Sequence, residues 1–154
     1  MEELLVKEES NKSEWRQESS RSKTVKAKPL HEIETSDGIR LNAIDSELNR
    51  VLGGGIVPGS LVLIGGEPGI GKSTLLLQVG LQLSELRVLY VSGEESEQQI
   101  KMRAERLEST SPNFYTLTET NTKNIFLSIE DIEPNLVIID SIQTLQSNQL
   151  DSAP

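Results

Sequence analysis

The chain has 154 residues, enough for one domain with a single hydrophobic core. It has no cysteine and one histidine, His31, which argues against disulfides, thiolate chemistry and Cys/His metal sites; aromatic residues make up only 3%, leaving few rings on which bases could stack. The net charge of −9 is uneven: residues 1–30 carry seven Lys and Arg against six Glu, while residues 31–154 carry eight against eighteen Asp and Glu, so the folded part is a poor non-specific binder of nucleic acid.

Residues 1–30 are polar, rich in Ser, Lys, Glu and Arg, and have no sustained apolar period, which marks a flexible leader or linker. Trp15 falls inside it and is expected to be an exposed ring. The opening, MEELLVKEES, lacks the basic-then-apolar order of a signal peptide, and no run is apolar for long enough to span a bilayer. A soluble, cytoplasmic protein with no membrane partner is therefore expected.

From His31, itself expected at the surface, a domain over 31–154 begins. Ile44, Leu48, Val51 and Leu52 predict a short amphipathic helix, stopped by Gly53-Gly54-Gly55. Pro58-Gly59 predicts a turn, and Ser60–Gly65 (SLVLIG) a buried strand. A glycine loop comes next, then a helix over Ser73–Leu83. Arg87–Ser92 reads as a second buried strand, Glu95–Leu107 as a helix, Asn113–Leu117 as a short strand, Asn124–Ile132 as a helix and Leu136–Asp140 (LVIID) as a third buried strand. Apolar strands alternating with helices predict an α/β fold with a mostly parallel sheet covered on both faces, which binds ligands beyond the carboxyl ends of its strands.

Three features fall at such ends. Gly66, Glu67, Pro68, Gly69, Ile70, Gly71, Lys72 and Ser73 (GEPGIGKS) match G-x-x-x-x-G-K-[ST] between a predicted strand and a helix. The glycines let the backbone wrap phosphates closely. The N–H groups from about Gly69 to Thr74 form an anion nest at the positive end of the helix. Lys72 is suited to the β- and γ-phosphates, and the Ser73 hydroxyl to Mg²⁺. The pattern predicts ATP with Mg²⁺. Asp140, at the tip of LVIID, is placed to hold the hydration shell of that ion. Glu94 and Glu95 come directly after the second strand; one carboxylate could orient the attacking water and the other serve the helix N-terminus, and the pattern does not choose between them. Lys101, Arg103 and Arg106, interspersed with Glu97, Glu105 and Glu108, read as a solvated helix face.

LNRVLGGGIVPGSLVLIGGEPGIGKSTLLLQVG (48–80), VLYVSGEESEQQIKMRAERL (88–107) and LVIIDSIQTL (136–145) together resemble the ATPase core of the bacterial RadA (Sms) family, RecA-superfamily DNA-repair proteins. The resemblance covers about residues 39–154. It implies a RecA-like P-loop core, ATP hydrolysis dependent on DNA, recombinational repair with branch migration and helicase activity, binding of single-stranded or branched DNA, and assembly into a homo-oligomeric ring. By the same resemblance the catalytic glutamate falls on Glu94, acting with Lys72. Asn49 stands where that family usually has Asp.

That family also carries a four-cysteine zinc module, further RecA-core segments and a Lon-protease-like domain, none of which is found in these 154 residues. A fragment or incomplete gene product, spanning the linker and the first part of the core, is the resulting expectation. Such a sheet would expose a strand edge and apolar faces, giving a marginally stable chain that self-associates or binds a partner. Two other readings compete. One is a different RecA-fold ATPase, KaiC-like or a replicative-helicase motor; the other is a nucleotide-binding fragment without turnover.

Overall fold

The computed structural model describes residues 29–32, 38 and 40–147. Most of the expected leader, with Trp15, and the residues from Asn148 onward lie outside the described residues. The chain divides into two units, 1–37 and 38–154. In the first, Leu30–Glu32 forms one 3-10 turn in which His31 is exposed, as expected.

The second unit contains α1 (Ser46–Val51), α2 (Lys72–Gln82), β1 (Val88–Ser92), α3 (Glu97–Arg106), β2 (Phe114–Thr118), α4 (Thr122–Ile132) and β3 (Leu136–Asp140). The strands form a parallel sheet in the order β2-β1-β3. β1 is central and buried along its whole length, which is why VLYVS lacks the polar alternation of a half-exposed strand. Its side chains still alternate between faces. Val88 and Tyr90 join Ile138 in a core with Leu77, Val79 and Leu81 of α2 and Ile100 of α3. Leu89 and Val91 face the other way, onto Ile125 and Ile129 of α4. Both faces of the sheet are thus covered, as the alternation of elements predicts.

One glycine sets how closely α2 approaches the sheet. A Cβ on Gly80 would lie 2.8 Å from Phe114 and 3.0 Å from Ile138, so any side chain would push the helix away. The starts of α1, α3 and α4 are capped by short polar side chains. Asp45 accepts from the Leu48 N–H at 2.7 Å, Asn121 caps α4, and Ser96 and Gln99 form a reciprocal capping box on α3. α3 therefore begins after Ser96, and Glu95 stands outside the helix instead of opening it. Asn49 accepts from the Ala43 N–H and donates from Nδ2 to Asn42 at 2.6 Å; an aspartate there could not make the second bond.

The turn at Pro58-Gly59 forms, with Gly59 at φ +78° and Ser60 N–H donating to the Val57 carbonyl. The strand expected at Ser60–Gly65 does not. The run pairs with none of the three strands, and Leu61 and Leu63 are 96% and 79% exposed. An apolar run becomes a buried strand only where a neighbouring backbone accepts its hydrogen bonds. Here β3 is an edge strand with no partner beyond it among the described residues.

The two classes of leucine should separate on mutation. Leu77→Ala, in the core, should lower stability by about 2–5 kcal/mol. Leu61→Ser should change it by less than about 0.5 kcal/mol while reducing self-association, as read by urea unfolding and sedimentation.

Candidate phosphate-binding site

The loop entering α2 is built on left-handed glycines: Gly69 has φ +80°, and Gly71, the residue capping α2, has φ +102°. Residues with a Cβ rarely adopt these angles, and they are the angles that turn successive N–H groups inward. The first hydrogen bond of the helix runs from Leu75 N–H to the Gly71 carbonyl at 2.9 Å. The N–H groups of Lys72, Ser73 and Thr74 precede it and, as at any helix start, have no acceptor within the helix. Lys72 folds back over the loop, its Nζ donating to the carbonyls of Gly66 and Glu67, each at 2.7 Å. An ammonium tethered only to two carbonyls at the mouth of a nest is free to exchange them for phosphate oxygens. The donor set thus fits a polyphosphate.

The second half of the site comes from the sheet. Register places Ser92 opposite Asp140, so the carboxyl ends of β1 and β3 lie side by side. Asp140, Ser141, Gly66 and Lys72 border a cleft of about 400 Å³ whose lining is otherwise mostly apolar, drawn from Val62, Leu63 and Ile64 and from the length of β3. Asp140 accepts a hydrogen bond through Oδ2 from the Tyr90 hydroxyl at 2.6 Å. Past β1 the chain turns on the Ser92 hydroxyl, which accepts from the N–H groups of Glu94 (3.4 Å) and Glu95 (3.1 Å). The two glutamates then part. Glu95 forms an ion pair with Arg103 of α3, whereas Glu94 is exposed and accepts from the Ser141 hydroxyl at 3.4 Å, beside Asp140. No cluster of three or more His, Cys, Asp or Glu able to enclose a metal exists among the described residues. A hydroxyl on the first turn of α2 and a carboxylate at the end of β3 are donors of the kind that suits an ion such as Mg²⁺, which keeps waters as its other ligands.

Residues 26–154 match the family model described as "AAA domain". The chain belongs to the AAA domain family. It is similar to the DNA repair protein RadA of Streptococcus pneumoniae, with 57% identity over 129 residues, covering 81% of this chain and 30% of that protein. It is likewise similar to RadA of Bacillus subtilis, 53% identical over 131 residues (84% and 29%), and of Campylobacter jejuni, 50% identical over 133 residues (85% and 30%). The chain thus spans about 30% of the length of these relatives. With the parallel sheet and the loop at α2, this similarity identifies the α/β core as RecA-like, of the P-loop NTPase type. No helix among the described residues is long and apolar enough to cross a membrane.

Within this AAA domain, Gly66 and Lys72 share the cleft with Asp140, while Glu94 stands at its side through Ser141. Ser73 and Thr74 lie on the first turn of α2, and Glu67, Pro68, Gly69 and Ile70 form the loop before it. One expectation needs correction. Arg103 is not on a solvated face: its side chain is 20% exposed, Nη1 pairs with Glu95, and Nη2 is buried without a hydrogen-bond partner. Its spacing from Ile100, shared by Ala104 and Leu107, puts it on the core-facing stripe of α3, and that period is the signal the sequence offers. Tyr90 offers no such signal, being one more large residue in an apolar strand.

Burial foremost, then the hydrogen bond to Asp140 and the charge of that carboxylate, push the Tyr90 phenol well above its usual range, against a smaller opposing pull from Arg103. The folded chain therefore keeps this proton at pH values where the unfolded chain loses it, from about pH 10 upward. The resulting stability is fully present below that pH and declines as pH rises through it. Tyrosinate absorbance assigned to Tyr90, by difference against Tyr90→Phe, should appear only above that range or on unfolding. The Phe variant should also show a flatter loss of stability with rising pH in urea titrations.

Proposed function

We propose that this chain binds ATP with Mg²⁺ at Gly66–Thr74, and that it is the nucleotide-binding part of a DNA-dependent ATPase of the RadA type, acting in recombinational DNA repair and branch migration. The observation that carries the reading is the cleft itself. Lys72, folded back over the glycine loop at the start of α2, borders the same cleft as the carboxylate at the end of β3.

In this reading the backbone N–H groups from Gly69 to Thr74 take the phosphate oxygens, aided by the positive end of α2. Lys72 leaves the Gly66 and Glu67 carbonyls for the β- and γ-phosphates, where its charge offsets the negative charge that accumulates as the terminal phosphoryl group transfers. Ser73 and Asp140 would hold Mg²⁺, which when bound neutralises the β- and γ-oxygens. Glu94 orients the attacking water and accepts its proton; the new P–O bond forms as the bond from the γ-phosphorus to the β–γ bridging oxygen breaks, leaving ADP and phosphate. Glu94 suits this role better than Glu95, whose carboxylate is committed to Arg103.

The acidic balance of residues 31–154 argues that any contact with single-stranded or branched DNA is local or arises in an assembly. Ring formation by several copies and a cytoplasmic location belong to the same proposal. A second reading, nucleotide binding without turnover, is favoured by the unpaired run at Ser60–Gly65. Among the described residues the segment feeding the nest has no sheet neighbour to fix its geometry.

Three variants test the assignment, each assayed for binding of a fluorescent ATP analogue and for phosphate release with and without single-stranded DNA. Lys72→Ala should weaken binding about 10–100-fold, the worth of one or two lost charge-assisted contacts; unchanged affinity would sink the P-loop assignment. Asp140→Asn should raise the Mg²⁺ needed for half-maximal binding. Glu94→Gln should bind nucleotide as the parent does and lose about 10²–10⁴-fold in turnover. Tight binding by the parent with no phosphate release under any condition selects the second reading.

A further inference from the structure

Three polar groups play no part in the proposed function: Tyr90, which is fully buried, and Arg103 and Glu95, which are partly buried. Glu95 pairs with Arg103, Arg103 lies beside Tyr90, and the Tyr90 hydroxyl is bonded to Asp140. Glu95, just past β1, holds Nη1 of Arg103, one turn along α3 from Ile100. Burial works against the charge on Arg103, but its bond to Glu95 and its proximity to Tyr90 outweigh that and keep it cationic. Tyr90 has no exposed surface, and its hydroxyl donates to Asp140 Oδ2 at 2.6 Å.

Strand geometry makes this contact specific. Tyr90 pairs in register with Ile138, two residues before Asp140, on the sheet face that packs against α2 and α3. From there the long phenol reaches forward along the sheet to the next side chain on that face of β3. A phenylalanine would fill the same space, and its ring contact with Phe114, at 5.9 Å between centroids, would persist. Packing therefore accounts for an aromatic residue at this position, but the hydroxyl remains unexplained until Asp140 is considered. In this bond the hydroxyl is the donor and the carboxylate the acceptor, so Oδ2 is engaged and Oδ1 is the oxygen left for other partners.

We propose that Tyr90 is a positioning residue for Asp140: anchored beside Arg103 and α3, its hydroxyl occupies Oδ2 and fixes the carboxylate so that Oδ1 is presented to a divalent cation at the phosphate site. The inference rests on the assignment of Asp140 to the Mg²⁺ side of the nucleotide site. Outer groups that hydrogen-bond a metal-binding carboxylate orient it and tune its affinity, and losing one commonly costs about tenfold or more in metal affinity.

The test is a Mg²⁺ titration of fluorescent ATP binding to the whole chain as wild type, Tyr90→Phe, Asp140→Asn and the double variant, with the metal-free affinity measured in chelator and the thermal midpoint read alongside. Tyr90→Phe should raise the Mg²⁺ midpoint about tenfold and leave the metal-free affinity unchanged, and the double variant should be no worse than Asp140→Asn alone. A merely structural tyrosine would lower both affinities together or neither. If Asp140→Asn shifts the midpoint and Tyr90→Phe does not, the positioning role is overturned while the site assignment stands. If Asp140→Asn shifts nothing, the assignment falls and the proposal with it. Should Tyr90→Phe fail to fold, the paired change Glu95→Gln with Arg103→Met removes the anchor and keeps both Tyr90 and Asp140; an unchanged Mg²⁺ midpoint there overturns the proposal.

Discussion

The site depends first on the register between β1 and β3. Because Ser92 lies opposite Asp140, the two strands end together, and the loops leaving them meet where Ser141 bonds to Glu94. A parallel pair holds that alignment with evenly spaced bonds along five residues, and a slip of one would turn Tyr90 away from Asp140. Two side-chain clusters, one on each face of β1, make such a slip costly. The chemistry at the strand ends is thus positioned by apolar packing that has no chemistry of its own.

The nest before α2 is the other fixed part, and it is held differently. Among the described residues no strand pairs with Ser60–Gly65; the loop is set by glycine dihedrals, by the helix that starts at Lys72 and by Lys72 bonding back to the loop carbonyls. α2 itself is anchored firmly, through Leu77, Val79 and the close approach at Gly80. One wall of the cleft is therefore rigid sheet and helix, and the other is an apolar segment exposed to solvent. This contrast is the physical ground for separating nucleotide binding, which needs mainly the nest, from turnover, which needs both walls at fixed distance.

Much of this is legible in the sequence for identifiable reasons. GEPGIGKS can be read because the nest needs specific residue types in a fixed order, and LVIID because a run of β-branched residues ending in a carboxylate has few other uses beside such a loop. The parallel sheet can be read from strands that are apolar throughout. SLVLIG carries the same local signal as VLYVS, yet only the second is paired, because pairing belongs to the neighbour and not to the segment. Arg103 reads as solvated only when charge is weighed over period: its spacing from Ile100 and Leu107 places it inward, and a buried guanidinium then needs Glu95. The difference between Glu94 and Glu95 cannot come from their identical chemistry; it lies in which one α3 recruits.

The central claim is that backbone N–H groups from Gly69 to Thr74 cradle a triphosphate. Residue-resolved hydrogen exchange, with and without a slowly hydrolysed ATP analogue and Mg²⁺, tests it most directly. If the nest holds the phosphates, the analogue slows exchange at those amides and at the start of α2, and Lys72→Ala removes the effect. Protection elsewhere with these amides unchanged, or no protection at saturating analogue, would contradict it.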